Sequence, residues 1–421
     1  MIEENKSVKN FPNSRNVPKL RFSEFINNWE IYYLKEIAEK INNKNNDNRI
    51  VTVFSNSAVQ GIVLQSDFFD KSIANKNNLD GYYIVEPFDF VYNPRLSSTA
   101  EVGAMSVNKT NLIGLVSPLY TVFKIKDKNI NISFLEYLFK SKVWHNYMRS
   151  IANYGAREDR MNVRSEDFYN LPLTIPNFSE QTKVSRFLSL IDSRIQTQKK
   201  IIEGLSLQKI SLVKKLFENK IKFKTNNKTR NWERKKLSEI SEEHLHKNPN
   251  NKYNEVFSVA KHKGVINQIE HLGRSFSAKE ILHYKLVYSG DLVYTKSPTS
   301  DFPFGIIKQN RTGRIGVVSP LYCVFKPQTY ALGYLLHEYF NSSVNTFNYL
   351  NPLVQKGAKN TMNINNETFL NGASILLPMN EEEQEKIYKF LLTLDEKINL
   401  ERELLTQYEN QKKYLLQNLF L

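Results

Sequence analysis

Three short segments of this 421-residue chain combine an amide or hydroxyl side chain with proline, a pattern suited to holding a nucleobase. Ser-Pro-Leu-Tyr occurs at 117–120 and again at 319–322, and Asn-Pro-Arg-Leu occurs at 93–96. Adenine methyltransferases hold their target amine with an Asn/Asp-Pro-Pro-aromatic loop, and all three segments lack its second proline. Because both Ser-Pro segments precede β-branched and aromatic residues, they are better explained as the beginnings of strands.

Other catalytic centres are not indicated by the sequence. No glycine-rich loop follows a predicted strand to form a cofactor pocket, and no Walker lysine motif is present. The histidines have no cysteine partners at zinc-site spacing; they include His244, His246, His262, His271 and His283. No carboxylate-lysine arrangement typical of nucleases is evident either. We therefore predict that this chain has no catalytic residues, no metal and no cofactor of its own.

The single cysteine, Cys323, excludes a disulfide framework and favours a reducing compartment. No apolar run reaches the length of a membrane span, and the N-terminus lacks an apolar signal core. Residues 1–16 are polar and rich in Asn and Lys, which predicts a flexible tail. We expect a cytoplasmic protein with no membrane partner.

The formal net charge of +15 is unevenly distributed along the chain. Residues 222–379 carry +10 and residues 179–221 carry +5, whereas residues 21–178 carry +1 and residues 380–421 carry −3. An excess of cations usually serves an anionic polymer, although a basic surface can also simply aid solubility. The charge therefore predicts nucleic acid as a partner.

Candidate contacts with nucleic acid are basic, amide and aromatic side chains in loops that both halves of the chain share. In the first half they are Arg95, Lys109, Tyr154, Arg157, Arg160 and Arg164, and in the second half Lys261, Lys296, Lys308, Arg311, Arg314, Lys356, Lys359 and Asn360. Asn56, Gln60 and His262 are further candidates. Arg can hold guanine in a bidentate pair and Asn or Gln can hold adenine, while Lys more often meets phosphate. The alternative for each residue is a solvated side chain.

The two halves of the chain repeat one module at an offset of 202 or 203 residues. The matched segments include Trp29-Glu30 with Trp232-Glu233, residues 89–92 with 291–294, residues 114–124 with 316–326, Gly155-Ala156 with Gly357-Ala358, and Phe187-Leu188 with Phe390-Leu391. Similar modules tend to pack with approximate two-fold symmetry. Such an arrangement suits a partner with two sites, for example the two half-sites of a DNA duplex.

Each module begins with about 150 residues of short aromatic and β-branched runs separated by Gly, Pro and Asn, which predict strands. The predicted strands include 50–54, 90–92, 116–117, 120–125 and 375–377. Apolar residues with helical spacing predict helices over 132–149 and 331–349. The sequence therefore predicts two modules of mixed α and β structure, in the α+β class.

Each module ends in a predicted long helix, at 179–221 and 380–421. Apolar residues recur there at steps of three, four and seven, a pattern typical of a coiled coil. About 40 residues at ~1.5 Å per residue give a rod of ~60 Å. Because one helix is net basic and the other net acidic, we predict that they pair with each other, antiparallel, rather than only with their own modules. Gly204 allows a kink or a close helix approach.

The layout resembles the specificity (S) subunit of type I restriction-modification enzymes over nearly the whole chain from about Val17. The resemblance rests on the Val17–Phe22 leader and on the Trp-Glu…Leu-x-Glu-Ile opening of each module. It also rests on the Gly-Ala loop, followed by a strand, a Pro, Glu-Gln and a long helix, found twice. The resemblance implies a tail at 1–16, target recognition domains at 17–178 and 222–379, and spacer helices at 179–221 and 380–421.

The resemblance also implies what this chain does. Each target recognition domain would read one half of a bipartite site in double-stranded DNA, and the antiparallel helices would dock two methyltransferase subunits. Two restriction subunits complete such assemblies, and S-adenosylmethionine, ATP and magnesium would act on these partners. The chain itself would be a non-catalytic subunit of a DNA adenine methyltransferase and endonuclease complex. Two alternatives stay open: a stand-alone DNA-binding regulator, and the DNA-recognition portion of a fused methyltransferase-nuclease.

Overall fold

The computed structural model describes residues 16–68, 79–153, 159–221, 223, 232–275, 277, 280–356 and 362–421. The chain divides into two compact units. Unit 1 consists of Met1–Lys199 and Glu403–Leu421, and unit 2 consists of Lys200–Arg402. Each unit therefore combines one globular module with parts of both long helices.

The first module supplies the elements up to residue 217. Its strands are β1 (Glu30–Tyr33), β2 (Ala38–Ile41), β3 (Phe54–Ser57), β4 (Gly61–Leu64), β5 (Tyr83–Val85), β6 (Phe90–Asn93), β7 (Ala104–Val107), β8 (Gly114–Val116), β9 (Thr121–Ile125) and β10 (Pro172–Ile175). Its helices are α1 (Leu34–Ile37), α2 (Gln65–Phe68), α3 (Ile132–Lys140), α4 (His145–Ile151), α5 (Ser165–Tyr169) and the long α6 (Phe178–Phe217).

The second module repeats this order of elements. Its strands are β11 (Trp232–Lys235), β12 (Ser241–Glu243), β13 (Phe257–Ala260), β14 (Gly264–Asn267), β15 (Lys285–Val287), β16 (Leu292–Thr295), β17 (Ile306–Gln309), β18 (Gly316–Val318), β19 (Cys323–Pro327), β20 (Gln355–Lys356), β21 (Met362–Asn363) and β22 (Ile375–Pro378). Its helices are α7 (Leu237–Ile240), α8 (Gln268–Leu272), α9 (Tyr330–Asn341), α10 (Ser343–Leu350), α11 (Asn366–Leu370) and the long α12 (Glu381–Asn418).

Each unit is built on one antiparallel four-stranded sheet, in the order β2-β9-β6-β7 in unit 1 and β12-β19-β16-β17 in unit 2. A separate hairpin, β3–β4 or β13–β14, packs beside the last strand of each sheet. The hairpin places the ring of Phe54 on Gly114, and that of Phe257 on Gly316. A β-carbon on either glycine would overlap the ring, which explains why both copies have glycine there.

The long helices begin at a repeated contact with the start of each module. The carboxylate of Glu180 accepts a hydrogen bond from the indole N–H of Trp29 at 3.2 Å, and Glu383 accepts one from Trp232 at 3.1 Å. The neighbouring amides donate to the preceding strands at 2.8 Å, Gln181 to the carbonyl of Pro176 and Gln384 to that of Pro378. The repeated Trp-Glu and Glu-Gln motifs therefore fix the direction in which each helix leaves its module.

Antiparallel pairing of the two long helices is present within each unit. In unit 1 Asp192 of α6 pairs with Lys412 of α12 at 2.5 Å, and the side chains of Leu188 and Leu415 share one core. In unit 2 the repeat-related ion pair joins Lys209 of α6 to Asp395 of α12 at 2.6 Å. Each ion pair contains one residue from the first half of one helix and one from the second half of the other. The predicted helix pair is therefore confirmed.

Three local predictions were wrong. The helices expected at 132–149 and 331–349 are each divided in two, because Ser141 bonds back to the carbonyl of Leu138 and Ser342 caps a new helix. The strand expected at 50–54 begins only at Phe54. Gly204 lies in an unbroken α6, and none of the described atoms outside the helix lies within 4 Å of the place its β-carbon would take, so the described structure shows neither the kink nor the close approach that the sequence allowed.

Candidate nucleic-acid interface

The two ends of each four-stranded sheet differ in what surrounds them. At one end β6 and β16 lead into the turns at 94–103 and 296–305, and β9 and β19 begin beside them because Tyr92 pairs with Thr121 and Tyr294 with Cys323. We call this the loop end of the sheet. At the opposite, far end β7 and β17 lead to 108–113 and 310–315, beside α3 and α9. The candidate residues divide between these two ends.

The turn at the loop end is held rigidly in both units. Gly103 and Gly305 have φ angles of +85° and +100°, and a β-carbon there would overlap the carbonyl oxygen of Asn93 or Thr295. The hydroxyl of Tyr92 donates to the carbonyl of Val102 at 2.9 Å, and that of Tyr294 to Phe304 at 2.8 Å. This explains why the tyrosine of the repeated Asp-x-Val-Tyr motif occurs in both copies, and the turn that it fixes carries the candidate contact residues.

In unit 1 the loop end brings two predicted arginines together. Backbone hydrogen bonds from Leu96 to Asp159 at 2.8 Å and from Met161 to Pro94 at 3.0 Å join the two chain segments that carry Arg95 and Arg160. The guanidinium of Arg95 is 66% exposed and lies 3.7 Å from the carboxylate of Asp159.

Tyr120, of the repeated Ser-Pro-Leu-Tyr segment, lies beside these arginines. Burial raises the pKa of the Tyr120 hydroxyl, while the charges of Arg160 and Arg95 oppose that rise. Two cationic guanidinium groups and a phenol ring therefore share one surface. Arg164 is exposed at the start of α5, where its Nε donates to the Asp167 carboxylate at 2.7 Å.

In unit 2 the loop end carries lysines in place of arginines. Lys261, at the turn between β13 and β14, forms an ion pair with Asp301 of the 296–305 turn. Lys296 is half-buried at the start of that turn, and burial lowers its pKa. Beside it the ammonium of Lys285 donates to the carbonyl of Tyr322 at 2.8 Å. Lys285 occupies the position of Tyr83 in unit 1, so the loop end of unit 2 has a charge at a position where unit 1 has a neutral ring.

At the far end of the sheet, two residues have a role other than the predicted DNA contact. Lys308 is almost completely buried, contacts Asn341, and has its pKa lowered by burial to about 8. Arg311 donates to Glu338 at 3.0 Å and to Asp395 at 3.2 Å. Their cationic groups are already bound inside unit 2, so a phosphate could reach them only by displacing these partners.

The other far-end candidates are more exposed. Lys109 forms an ion pair with Glu136 and is 53% exposed, and Arg314 lies between Glu255 at 3.1 Å and Glu270 at 3.3 Å. The remaining candidates cannot be placed: Tyr154, Arg157, Lys359 and Asn360, together with the side chain of Lys356, lie outside the described residues.

Among the three further candidates, one is structural. Asn56 is buried and donates to the carbonyls of Val91 at 2.7 Å and Ala104 at 3.1 Å, which fastens the β3–β4 hairpin to the sheet. Gln60 and His262 are exposed at the turns of the two hairpins, where a DNA groove could be contacted.

Sequence reasoning missed one segment at the loop end, residues 42–49 after β2. Asn42, Asn43, Lys44, Asn46 and Arg49 are exposed and line an open groove. The loop is shaped by a buried asparagine, because Asn45 accepts from the backbone N–H of Ile50 at 3.2 Å and donates to its carbonyl at 2.9 Å. The run Asn-Asn-Lys-Asn-Asn-Asp-Asn-Arg was the available signal, since Asn and Arg are residues that read base edges.

No protein-family model and no curated protein matches the sequence. Solved structures do match. An S subunit of a type I restriction-modification system from M. genitalium aligns with a TM-score of 0.51 at 13% identity, over 96% of this chain and 99% of that chain. A chain from a structure on complex assembly and conformational transition of the type I R-M system aligns with a TM-score of 0.50 at 13% identity, over 92% and 96%. This chain has the fold of a type I S subunit.

The two similar α+β units, each with parts of both long helices, are covered by these alignments over more than nine tenths of the chain. At 13% identity the likeness establishes the fold, and the roles of individual side chains depend on the geometry of this chain. Among the described residues, no helix is long and apolar enough to cross a membrane. Within the same residues, no group of three or more His, Cys, Asp or Glu side chains is arranged to hold a metal ion.

Proposed function

We propose that this chain is the DNA-binding specificity subunit of a type I restriction-modification complex. One observation carries the proposal: the loop end of the same sheet, built around the same rigid turn, presents different polar side chains in the two units. In unit 1 these are arginines and asparagines, and in unit 2 lysines. Two DNA-binding units with the same fold but different contact residues suit a bipartite site with two unlike halves.

The chemistry of the two loop ends supports different modes of contact. Arg95 and Arg160 can form bidentate hydrogen bonds with guanine in the major groove, and the asparagines of 42–46 can do so with adenine. Lys261 and Lys296 are point charges on flexible stems, which suit phosphates. Both units would contact the phosphate backbone, but the first would read bases mainly through arginine and asparagine.

The partners follow from the same proposal. The long helices would dock two methyltransferase subunits, which would hold S-adenosylmethionine and modify adenine. Two restriction subunits would bind through them and use ATP and magnesium for translocation and cleavage. This chain would contribute recognition and no catalytic group, in the cytoplasm where DNA is accessible.

The test is an exchange of one reader. Residues 17–178 are replaced by the corresponding domain of a relative with a known site, and the methylated sequence is read from the genome of a host that carries the whole system. We expect only one half of the methylated site to change, and the matched exchange of residues 222–379 should change only the other half. If one exchange altered both halves, the assignment of one reader to each half-site would be wrong.

Two further measurements separate the alternatives. Inserting four residues beside Gly204, about one helical turn of ~6 Å, should change the unread spacer or abolish methylation while both half-site strings persist. A stable complex with a methyltransferase subunit supports a specificity subunit. A chain that binds DNA specifically but purifies without any such subunit would instead be a stand-alone regulator.

A further inference from the structure

A cavity of about 320 Å³ lies in unit 1, where the C-terminal end of α3 meets the paired segments of α6 and α12. Five lysines line it: Lys140, Lys142, Lys199, Lys412 and Lys413. Two acids also line it and each is already paired, Asp192 with Lys412 at 2.5 Å and Glu409 with Lys199 at 3.2 Å. Lys140 and Lys142 also form ion pairs with Glu136 and Glu101, but those two acids are shared with Lys109 and Arg149. With these partners included, seven cations and four acids leave an excess of three positive charges, so the cavity attracts an anionic group.

The cavity is not only cationic. Ile195 is 8% exposed, and Leu416 packs against the same hydrophobic core, so the lining includes an apolar surface between the lysines. A bare phosphate would engage the lysines and leave this apolar surface in water. A protein segment with acidic residues beside leucine or phenylalanine would satisfy both parts of the lining.

The corresponding face of unit 2 has a different character. The helix pairs have the same register in both units, because Lys412 with Asp192 corresponds to Lys209 with Asp395. Three lysines of the cavity then correspond to uncharged residues: Lys140 to Ser342, Lys142 to Val344 and Lys413 to Ile210.

The exposure of the apolar residues in unit 2 adds to the difference between the two faces. Val344 and Ile210 are each 64% exposed, where unit 1 has charged side chains. Unit 2 keeps cations at two corresponding positions, Lys209 for Lys412 and Arg402 for Lys199, and it has Lys214 where unit 1 has Gln417. Lys209 is enclosed between Asp395 and Glu338. The face of unit 2 therefore offers an apolar contact where unit 1 offers lysines.

We propose that the lysine-lined cavity of unit 1 is a docking site for an acidic, amphipathic segment of a protein partner. The proposal rests on the proposed function for the partner, the methyltransferase subunit. Two copies of that subunit would then meet unlike surfaces on this chain. The copy on unit 1 depends on charge and is sensitive to salt, and the copy on unit 2 depends more on apolar contact.

The test uses a double charge reversal, Lys142→Glu with Lys413→Glu. Both side chains are exposed, so the fold should persist. The control, Lys128→Glu with Lys389→Glu, removes the same charge from exposed lysines outside the cavity. The full chain is mixed with the methyltransferase subunit, and native mass spectrometry counts the bound copies at low and high salt. We expect one of two copies to bind roughly 10- to 30-fold more weakly in the variant and neither to change in the control.

A gain-of-charge variant provides the converse measurement. Ile210→Lys with Val344→Lys should make binding of the second copy more sensitive to salt, because it gives unit 2 the lysines of unit 1. Unchanged affinity for both copies in the charge-reversal variant would overturn the proposal. So would a variant that binds DNA duplex more weakly but the methyltransferase normally, since the lysines would then serve DNA.

One outcome separates this proposal from the proposed function. If no methyltransferase subunit binds the wild-type chain, the proposed function fails, and a labelled helical peptide of leucine and glutamate tests the cavity by itself. Fluorescence anisotropy should then show binding to the full wild-type chain and affinity reduced by at least about tenfold in the charge-reversal variant. Equal binding to both would overturn the docking site.

Discussion

Units 1 and 2 share a fold but differ in how the far end of the sheet is tied to the long helices. In unit 2 Arg311 bonds to both Glu338 and Asp395, and its guanidinium lies 3.9 Å from the ring centroid of Tyr334. In unit 1 the corresponding Lys109 forms an ion pair with the equivalent glutamate, Glu136, and with no other acid of the described residues.

The difference lies in what the two side chains can span. Arginine carries several donors in a planar fork and connects α9 to α12, whereas the single ammonium group of Lys109 binds one carboxylate of α3. Burial alone would raise the pKa of Asp395, but Lys209 and Arg311 outweigh it and hold that pKa below its ordinary value. Unit 2 therefore has a largely buried charge network, whereas unit 1 has an ion pair between a half-exposed lysine and a buried glutamate. Removing the equivalent cation should therefore change the stability of the two units by different amounts.

The largest expected difference is in the stability of the two units after removal of these cations. Arg311→Ala should destabilise unit 2 by about 3 kcal/mol, because it leaves two buried carboxylates with fewer partners. Lys109→Ala should cost unit 1 less, about 1 kcal/mol, because Lys109 is half exposed and the buried Glu136 keeps Lys140 as a partner. Hydrogen exchange in α9 and in α3, measured against denaturant, gives both values separately. Equal destabilisation of the two units would show that the network in unit 2 adds no stability.

A second difference concerns pH. Asp89 in unit 1 is buried, and burial raises its pKa from 3.8 to about 6. Asp89 accepts a hydrogen bond from Glu86 N–H, and in unit 2 the equivalent Asp291 accepts one from Tyr288 N–H. Asp291 differs in also lying 2.8 Å from the Nε2 atom of His244. Because Asp89 is protonated more readily in the folded chain, its contribution to stability is complete below pH 3.8 and is lost as pH rises through about 6.

The substitution Asp89→Asn tests this assignment. It should remove a pH dependence on the order of 1–2 kcal/mol from the unfolding of unit 1. Asp291→Asn should instead weaken unit 2 by about 1 kcal/mol at neutral pH, because it removes a charge-assisted hydrogen bond. Urea-unfolding midpoints from pH 4 to 7.5 provide the measurement. A slope that persists in Asp89→Asn would assign the titration to another group.

The last expected difference is in DNA affinity. Replacing Arg95 and Arg160 by alanine should relax base preference in one half-site, with a cost of about 1–3 kcal/mol for each base that is no longer bound. Replacing Lys261 and Lys296 should weaken binding about equally for all sequences. It should also reduce the slope of log affinity against log salt by about 0.9 for each phosphate released. Titrations with matched and mismatched duplexes at several salt concentrations distinguish the two. Weaker base discrimination in the lysine variant would reverse the assignment.

The sequence repeats and the periodicity of apolar residues were sufficient to predict the two-module architecture. The 203-residue offset between Trp29 and Trp232 predicted two equal modules, and apolar steps of three and four predicted α6 and α12 nearly to their ends. These features depend on local spacing, which a linear pattern records directly. The same patterns missed the division at Ser141 and Ser342, because one side-chain hydrogen bond ends a helix while the apolar spacing continues across it.

Sequence alone determined the residue types that can meet DNA, and tertiary structure decided which of them are available. Arg95 and Arg311 are both arginines in basic loops, yet Arg95 is mostly exposed and Arg311 is bound by Glu338 and Asp395. Asp395 lies 84 positions along the chain from Arg311, so no local pattern indicates that pair. The sequence shows which loop residues carry a charge. Whether such a charge is free to bind a ligand depends on residues distant in the sequence, which only folding brings into contact with it.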